Sequence, residues 1–275
     1  MEKGFKVSSY LIKQMLKIRG YGKRKSQKQL PLKEVENRNE QFEYISALKN
    51  SFKLDDNPVL SIDTKKKELL GNFYRDGKIY TKETIKVYDH DYPSYADGKV
   101  VPHGIYDLSK NIGYMTIGKT MDTSEFMLDN LENYWVNEIS KNYNNADTIL
   151  ILCDGGGSNT SRGFQLKKRL QGLSNKLKIK IKVAHYPPYC SKWNPIEHKL
   201  FCHVHRAMQG VVFKDYSTVK ELIENTKTAS GLQVKVNINS KVYSKAEKLS
   251  TSDIESLNII PDSFLPKWNY AILPN

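Results

Sequence analysis

The sequence predicts a three-layer α/β domain in which a mixed sheet lies between helices. The first observation is an alternation of short apolar runs with segments of helical spacing, in the order strand, strand, hairpin, helix, strand, helix, strand, helix. The second is that 39% of the 275 residues are hydrophobic, which is enough to bury a core. The third is that the sequence contains no run of about 18 apolar residues, which is the length needed to cross a membrane. We therefore expect a cytoplasmic protein with no membrane partner.

Positive charge is concentrated at the start of the chain. Residues 1–30 hold nine Lys or Arg and one acid, out of a formal net charge of +13 for the whole sequence. A basic segment of this kind is typical of proteins that bind a polyanion, most often nucleic acid, although a solubilising tail has the same composition.

The first helical pattern has Ser8 or Ser9 as its N-cap and ends at Gly20 and Gly22. With the basic arm after it, this pattern looks like the second helix of a helix-turn-helix. The candidate DNA-binding cations of helix and arm are Lys13, Lys17, Arg19, Lys23, Arg24 and Lys25. A charged helical pattern over residues 32–52 predicts a connector rather than a core element. We therefore expect a DNA-binding segment with its connector at residues 1–50 and the main domain at residues 51–275.

The first half of the main domain reads as strands. "PVLSIDT" predicts a short buried strand, and "KELLGNFYRDG" predicts a second strand that ends in a turn. Residues 77–99 form a polar segment with several turn signals, and "VVPHGIYDLSKNIGYMTIG" predicts a hairpin. A helix follows over residues 122–143, with Asp122 or Thr123 as its cap.

The second half continues the alternation. "ILILCD" predicts a buried strand, and residues 161–177 predict a basic amphipathic helix. "KIKIKVAHY" alternates strictly, which is typical of a strand near a sheet edge. The last predicted helix begins at "NPIEH".

Three acids lie at ends of these elements: Asp63 ends the first strand, Asp154 ends a later strand, and Glu197 lies in the first turn of the last helix. Ligands of open α/β sheets collect at strand ends and helix starts, so the three carboxylates could converge. A few carboxylates suffice to hold Mg²⁺ that also binds substrate phosphate. Two such ions stabilise both oxygens of an in-line phosphoryl transfer.

Each acid also has a structural interpretation. Glu197 follows Asn194 by three residues, as in a capping box, and Asp154 precedes three glycines, as a turn acid does. Asp63 could accept a hydrogen bond from Thr64. The glycines lack the spacing of a dinucleotide or P-loop site.

Four motifs in order carry a resemblance to a known family: "LSIDTKKKELLGNF", "LCDGGGSNTSRG", "HYPPYCSKWNPIEHKLF" and "TASGLQVKV". Together they resemble the Rhodopirellula-type transposases of bacterial insertion sequences, the ISAzo group, whose catalytic domain belongs to the ribonuclease H-like DDE superfamily. The resemblance implies a ribonuclease H-like three-layer fold at residues 51–275, after a short basic helical segment. It implies that Asp63, Asp154 and Glu197 are the catalytic residues and bind two Mg²⁺ or Mn²⁺ ions.

The resemblance also suggests roles for neighbouring residues. Three glycines, residues 155–157, would let the backbone approach a phosphate, and Ser158 and Asn159 would donate to it. Lys192 and Trp193 would contact DNA through charge and stacking, although a core role for Trp193 fits as well. The Cys and His residues around Glu197 lack the paired spacing of a zinc site. His198, next to Glu197, would support the acid or contact DNA, and no role is assigned to His103 and Cys202.

The resemblance implies metal-dependent hydrolysis and strand transfer on double-stranded DNA, at element ends and target. The enzyme would work as a dimer or larger assembly and would associate with the nucleoid when bound to DNA. Members of the family carry a full helix-turn-helix, of which only the last helix has a counterpart here, so we expect an N-terminally truncated chain. Two alternatives stay open: a ribonuclease H-like nuclease without strand transfer, and an inactive DNA-binding remnant.

Overall fold

The computed structural model describes residues 7–24, 35–156, 163–245 and 249–275. The chain divides into two compact units, Met1–Glu34 and Val35–Asn275. Within the described ranges, no helix is long and apolar enough to span a bilayer.

The smaller unit contains helix α1, Ser9–Ile18. The Ser8 side chain accepts a hydrogen bond from the Leu11 amide at 3.2 Å, so the predicted N-terminal cap is confirmed. The chain leaves the helix through Gly20, whose φ of +78° is accessible to glycine at little cost. Every described residue of this unit is exposed.

The larger unit is built from strands and helices in alternation. In chain order they are α2 (Arg38–Leu54), β1 (Val59–Thr64), β2 (Glu68–Leu70), β3 (Gly98–Asp107), β4 (Ile112–Gly118), α3 (Ser124–Tyr134), β5 (Thr148–Cys153), α4 (Phe164–Leu177), β6 (Lys180–His185), α5 (Cys202–Ala207), α6 (Tyr216–Glu224), β7 (Gln233–Asn239), α7 (Thr251–Glu255), β8 (Ile259–Pro261) and β9 (Asn269–Ile272). Two π-helical turns extend helices, one at Trp135–Ile139 and one at Glu197–Phe201.

The sheet is mixed, as predicted. Its strand order is β7-β4-β3-β1-β5-β6-β9-β8, and β2 pairs with β3 outside this path. β1, β5 and β6 are parallel, whereas β3 and β4 form the predicted antiparallel hairpin beside β1. These three parallel strands are adjacent in the middle of the order, and a second parallel pair, β4 with the edge strand β7, lies at one end.

Helices cover both faces of the sheet. Leu60 and Ile62 of β1 belong to a core cluster with residues of α3 and α4, whereas Val59 belongs to a cluster with Ile45 of α2. Since side chains of a strand alternate between faces, these contacts define two helical layers around one sheet. The predicted three-layer α/β class is confirmed.

Two sequence interpretations differ from the structure. The charged helix α2 buries Gln41 and Ile45 against the sheet, so it is a core element although its composition indicated a connector. Strand β6 pairs with β5 on one side and with β9 on the other. Its alternating lysines indicated a place near the edge, but the C-terminal strands β8 and β9 extend the sheet past it.

Candidate active site

Strand register brings two of the three predicted acids together. β1 and β5 run parallel, and the last pair of facing residues in their register is Ser61 and Leu152. Asp63 and Asp154 each come two residues after that pair. Because side chains repeat every two residues, both carboxylates are on the side of the sheet where Ser61 lies.

The third acid is supplied by the π-helical turn Glu197–Phe201, of which Glu197 is the first residue. This turn continues into α5 and packs on the strands through Leu200 and Phe201, both buried. π-Helical turns occur frequently at functional sites. Glu197 itself is partly buried, as Asp63 and Asp154 are.

The three carboxylates interact electrostatically. Burial raises the pKa of Asp63 to about 7, together with the negative charges of Asp154 and Glu197, which act in the same direction. A hydrogen bond from the Thr64 amide has the opposite effect and lowers this pKa. Burial and the charge of Asp154 also raise the pKa of Glu197, while Lys65 opposes the rise. Mutual repulsion of this kind indicates a site whose charge a cation would balance.

The local hydrogen bonds that a purely structural role would require are present at Asp63 and Asp154. The Asp63 carboxylate accepts from the Thr64 amide at 2.8 Å, and Asp154 accepts from the Gly156 amide at 3.2 Å. The capping box predicted for Glu197 is not formed. The backbone amide of Asn194, the other residue of the predicted box, donates to the Ser191 backbone oxygen. The Asn194 side chain forms hydrogen bonds with Ser61 and Ile62 of β1 instead of capping the helix.

A fourth acid near the site was missed by the sequence reading. The Asp122 carboxylate accepts from the Thr64 hydroxyl at 3.0 Å, and its charge contributes to the raised pKa of Asp63. The sequence offered Asp122 and Thr123 as alternative caps of α3. The structure shows that Thr123 is the cap, since its hydroxyl accepts from the Phe126 amide at 3.1 Å.

A buried polar network holds the backbone of Asp154 through hydrogen bonds. The His185 ring is fully buried, and its Nδ1 lies 3.0 Å from the backbone oxygen of Asp154. Burial lowers the pKa of His185 to about 4, so the ring is neutral, and Nδ1 must donate because a carbonyl oxygen can only accept. Gln41 of α2 donates to the His185 backbone oxygen at 2.9 Å. These hydrogen bonds join residues that are far apart in the sequence, so no single sequence motif predicted them.

A cavity of about 470 Å³ opens beside Glu197. Its lining includes the cationic residues Lys65, Lys66 and Arg75. Arg75 is fixed there by Glu68, at 2.5 Å, and by the Phe213 ring, 3.3 Å from the guanidinium carbon. The run of lysines after Asp63 therefore borders the site.

Trp193 and Lys192 lie at the surface close to Glu197, in the 3₁₀ turn Ser191–Trp193. Trp193 is 51% exposed and makes a T-shaped contact with Phe42, and Lys192 Nζ lies 5.4 Å from the indole ring centre. Exposure of the indole argues against the core role.

The other predicted DNA-binding residues fall into two groups. Those in the smaller unit are exposed: Lys13, Lys17, Arg19, Lys23 and Arg24. Those outside the described residues are Lys25, Ser158 and Asn159, together with the third glycine of the run.

The donor set at the site suits a hard divalent cation, since three carboxylates provide oxygen ligands. Among the described residues, no three His, Cys, Asp or Glu side chains already surround a common point that could hold a metal ion.

Comparisons with known proteins identify a family and a similar fold. The family model described as the Rhodopirellula transposase DDE domain matches residues 1–274. A Mos1 transposase paired-end complex with the left transposon end is 16% identical, with a TM-score of 0.51 over 78% of this chain and 61% of that one. A pre-cleavage Mos1 transpososome is 16% identical, with a TM-score of 0.50 over 78% and 62%. No curated protein matches the sequence. The chain spans about three fifths of the Mos1 chains, and likeness at this identity shows the fold.

Proposed function

The chain belongs to the Rhodopirellula transposase DDE domain family, and on this premise we propose that it cleaves DNA at insertion-sequence ends in the cytoplasm and joins the freed 3′ ends to target DNA. The observation that supports this most strongly is that Asp63 and Asp154 follow adjacent parallel strands in register, with Glu197 near enough for its charge to raise the pKa of Asp63. An acid cluster at strand ends and a helix start is suited to hold the two metal ions that catalyse phosphoryl transfer on DNA.

Asp63, Asp154 and Glu197 are the residues that would hold Mg²⁺ or Mn²⁺. Bound as a pair, such ions stabilise the attacking and leaving oxygens of an in-line displacement at phosphorus. The chain contributes ligands whose charges repel one another without a cation, and this repulsion favours cation binding. It also contributes the Thr64 and Gly156 amides, which orient the carboxylates of Asp63 and Asp154.

Other groups around the acids are suited to hold the DNA. Gly155 and Gly156 are exposed directly after Asp154, so a phosphate could approach their backbone closely. Lys66 lines the cavity beside Glu197 with its side chain exposed and would bind strand phosphates there, whereas Lys65 is paired with Glu68. The exposed Trp193 would stack on a base of the same strand.

The proposed partners are double-stranded element ends and target DNA. The cations of residues 7–24 would add sequence-independent affinity for DNA phosphates. Because the similar Mos1 structures are a paired-end complex and a transpososome, we propose that two or more copies assemble on the DNA.

A strand-transfer assay tests the proposal. The protein is incubated with Mn²⁺, labelled fragments of the DNA that flanks its coding sequence, and a target plasmid. We expect cleaved ends and joined products, and neither with Asp154→Asn. Cleavage without joining would identify a nuclease, and binding without cleavage would identify a non-catalytic DNA-binding protein.

A further inference from the structure

A buried polar contact ties β1 to the start of the helical segment that carries Glu197. The Ser61 hydroxyl donates to Asn194 Oδ1 at 2.5 Å and accepts from the Ile196 amide at 3.0 Å. Asn194 Nδ2 in turn donates to the Ile62 backbone oxygen at 3.3 Å. Ser61 and Asn194 are both fully buried.

This contact replaces the local cap that the sequence predicted. The first amides of a helix lack partners within the helix and are usually capped by the residue just before it. Here the Asn194 side chain turns away from the helix, and Ser61, more than 130 residues earlier in the chain, accepts from the Ile196 amide instead. The helix start is therefore fixed to a strand rather than to its own N-terminal residue.

The positions of the bonded groups relate directly to the acids. Ser61 lies two residues before Asp63, and strand alternation puts both side chains on one side of the sheet. The amide that Ser61 accepts from belongs to Ile196, the residue before Glu197. One hydrogen-bonded unit therefore connects the backbone segments that carry the first and third acids.

We propose that Ser61 and Asn194 are positioning residues that set Glu197 relative to Asp63 so that the acids can share a metal ion. This inference rests on the proposed function, because it assigns the contact a role in metal binding. Loss of either side chain leaves a buried partner unsatisfied and frees the start of the π-helical turn to move. Such a variant still contains all three acids, so any loss of metal binding comes from their arrangement.

Mn²⁺ binding by the full chain without DNA, measured by titration calorimetry, tests the inference. We expect Ser61→Ala and Asn194→Ala each to raise the Kd for Mn²⁺ about tenfold, as loss of a group that orients metal ligands does. The double variant should be little worse than either single one, because the two residues act as a unit. Hydrogen exchange at the Ile196 amide should accelerate in Ser61→Ala, while the conservative Ser61→Thr, which keeps the hydroxyl, should retain metal affinity.

Matched controls separate positioning from general stability. Ser174 is a fully buried serine of α4 whose hydroxyl donates to the Ile179 backbone oxygen, and Asn130 is a buried asparagine of α3. Ser174→Ala should lower the urea midpoint as Ser61→Ala does, whereas Asn130→Ala should lower it less, because Asn130 Nδ2 has no partner among the described residues; both should leave the Kd for Mn²⁺ unchanged.

The outcomes distinguish the two proposals. If the wild-type chain binds no Mn²⁺, the proposed function fails and the positioning role fails with it. If the wild-type chain binds Mn²⁺ and the Ser61 and Asn194 variants bind it as tightly as the controls do, the positioning role alone is wrong.

Discussion

Asp63 and Asp154 each lie two residues beyond a single pair of sheet partners, Ser61 and Leu152, on adjacent parallel strands. Strand register thus decides that both carboxylates come to the same place on the same side of the sheet. A slip of one residue in either strand would turn one acid to the opposite face. The candidate site is therefore a consequence of the sheet core, and changes in the core next to the acids should affect both stability and activity.

Gly104 offers a test of that link. It lies opposite Asp63 in β3, and a Cβ built on it would come within 2.5 Å of the Phe201 ring and 2.9 Å of Ile196. Gly104→Ala should push away the helical segment that begins with Glu197, with a loss of about 1–3 kcal/mol of unfolding free energy, as overpacking costs. Urea unfolding and a Mn²⁺-dependent cleavage assay should both show the defect.

Gly172→Ala is the matched control for this change. Gly172 lies within α4, and nothing is within 4 Å of a Cβ built on it. Alanine should therefore stabilise the helix by about 0.5–1 kcal/mol and leave cleavage intact. If both alanine variants were equally stable and equally active, the close approach at Gly104 would have no consequence.

His103 should make the protein sensitive to acid. The ring is 1% exposed, it has no hydrogen-bond partner among the described residues, and burial lowers its pKa to about 3. An unfolded His has a pKa of about 6.5, so between about pH 6.5 and pH 3 the unfolded chain binds a proton that the folded chain does not. The free energy of unfolding should fall as the pH falls through this window, by at most about 1.4 kcal/mol per pH unit.

Urea unfolding of His103→Leu as a function of pH checks this expectation. The variant removes the group that titrates on unfolding, so its stability should depend less steeply on pH below about 6.5. Val101→Ala, a change at a buried residue of the same strand that does not titrate, should keep the wild-type slope. Equal slopes in all three proteins would mean that His103 does not contribute to acid sensitivity.

Trp193 should report on DNA binding. Trp135 and Trp268 are 5% and 7% exposed, against 51% for Trp193, so quenching of fluorescence by added single-stranded DNA should come mainly from Trp193. Trp193→Ala should weaken DNA binding about tenfold, which corresponds to the loss of one stacked base. Phe264→Ala, which removes another exposed aromatic side chain, should bind as the wild type does. Equal affinity of the two variants would contradict the stacking role.

The sequence was most informative where a pattern repeats locally. Short apolar runs at β1 and β5 predicted two buried strands with an acid at the end of each, and the structure has these strands at the centre of the sheet. Helical spacing predicted α1, α3 and α4, with the caps of α1 and α3 among the residues named.

What the sequence could not predict depends on contacts between distant residues. The cap that Ser61 provides at Ile196, the hydrogen bond from His185 to the Asp154 carbonyl, and the bond from Thr64 to Asp122 each exist only after the sheet has formed. The core role of α2 was missed for a similar reason. Its buried residues are few, and the surface that buries them comes from strands much later in the chain.

Single-turnover cleavage of flanking DNA with Mn²⁺ tests the central claim, that Asp63, Asp154 and Glu197 form one catalytic site. Asp63→Asn, Asp154→Asn and Glu197→Gln keep the shape of each side chain and remove its charge. The controls are wild type and Asp76→Asn, which neutralises an acid that also lines the cavity. We predict that each of the three variants loses cleavage by at least about a thousandfold while still folding and binding DNA, and that Asp76→Asn cleaves as the wild type does. Cleavage at the wild-type rate by any one of the three would contradict the assignment.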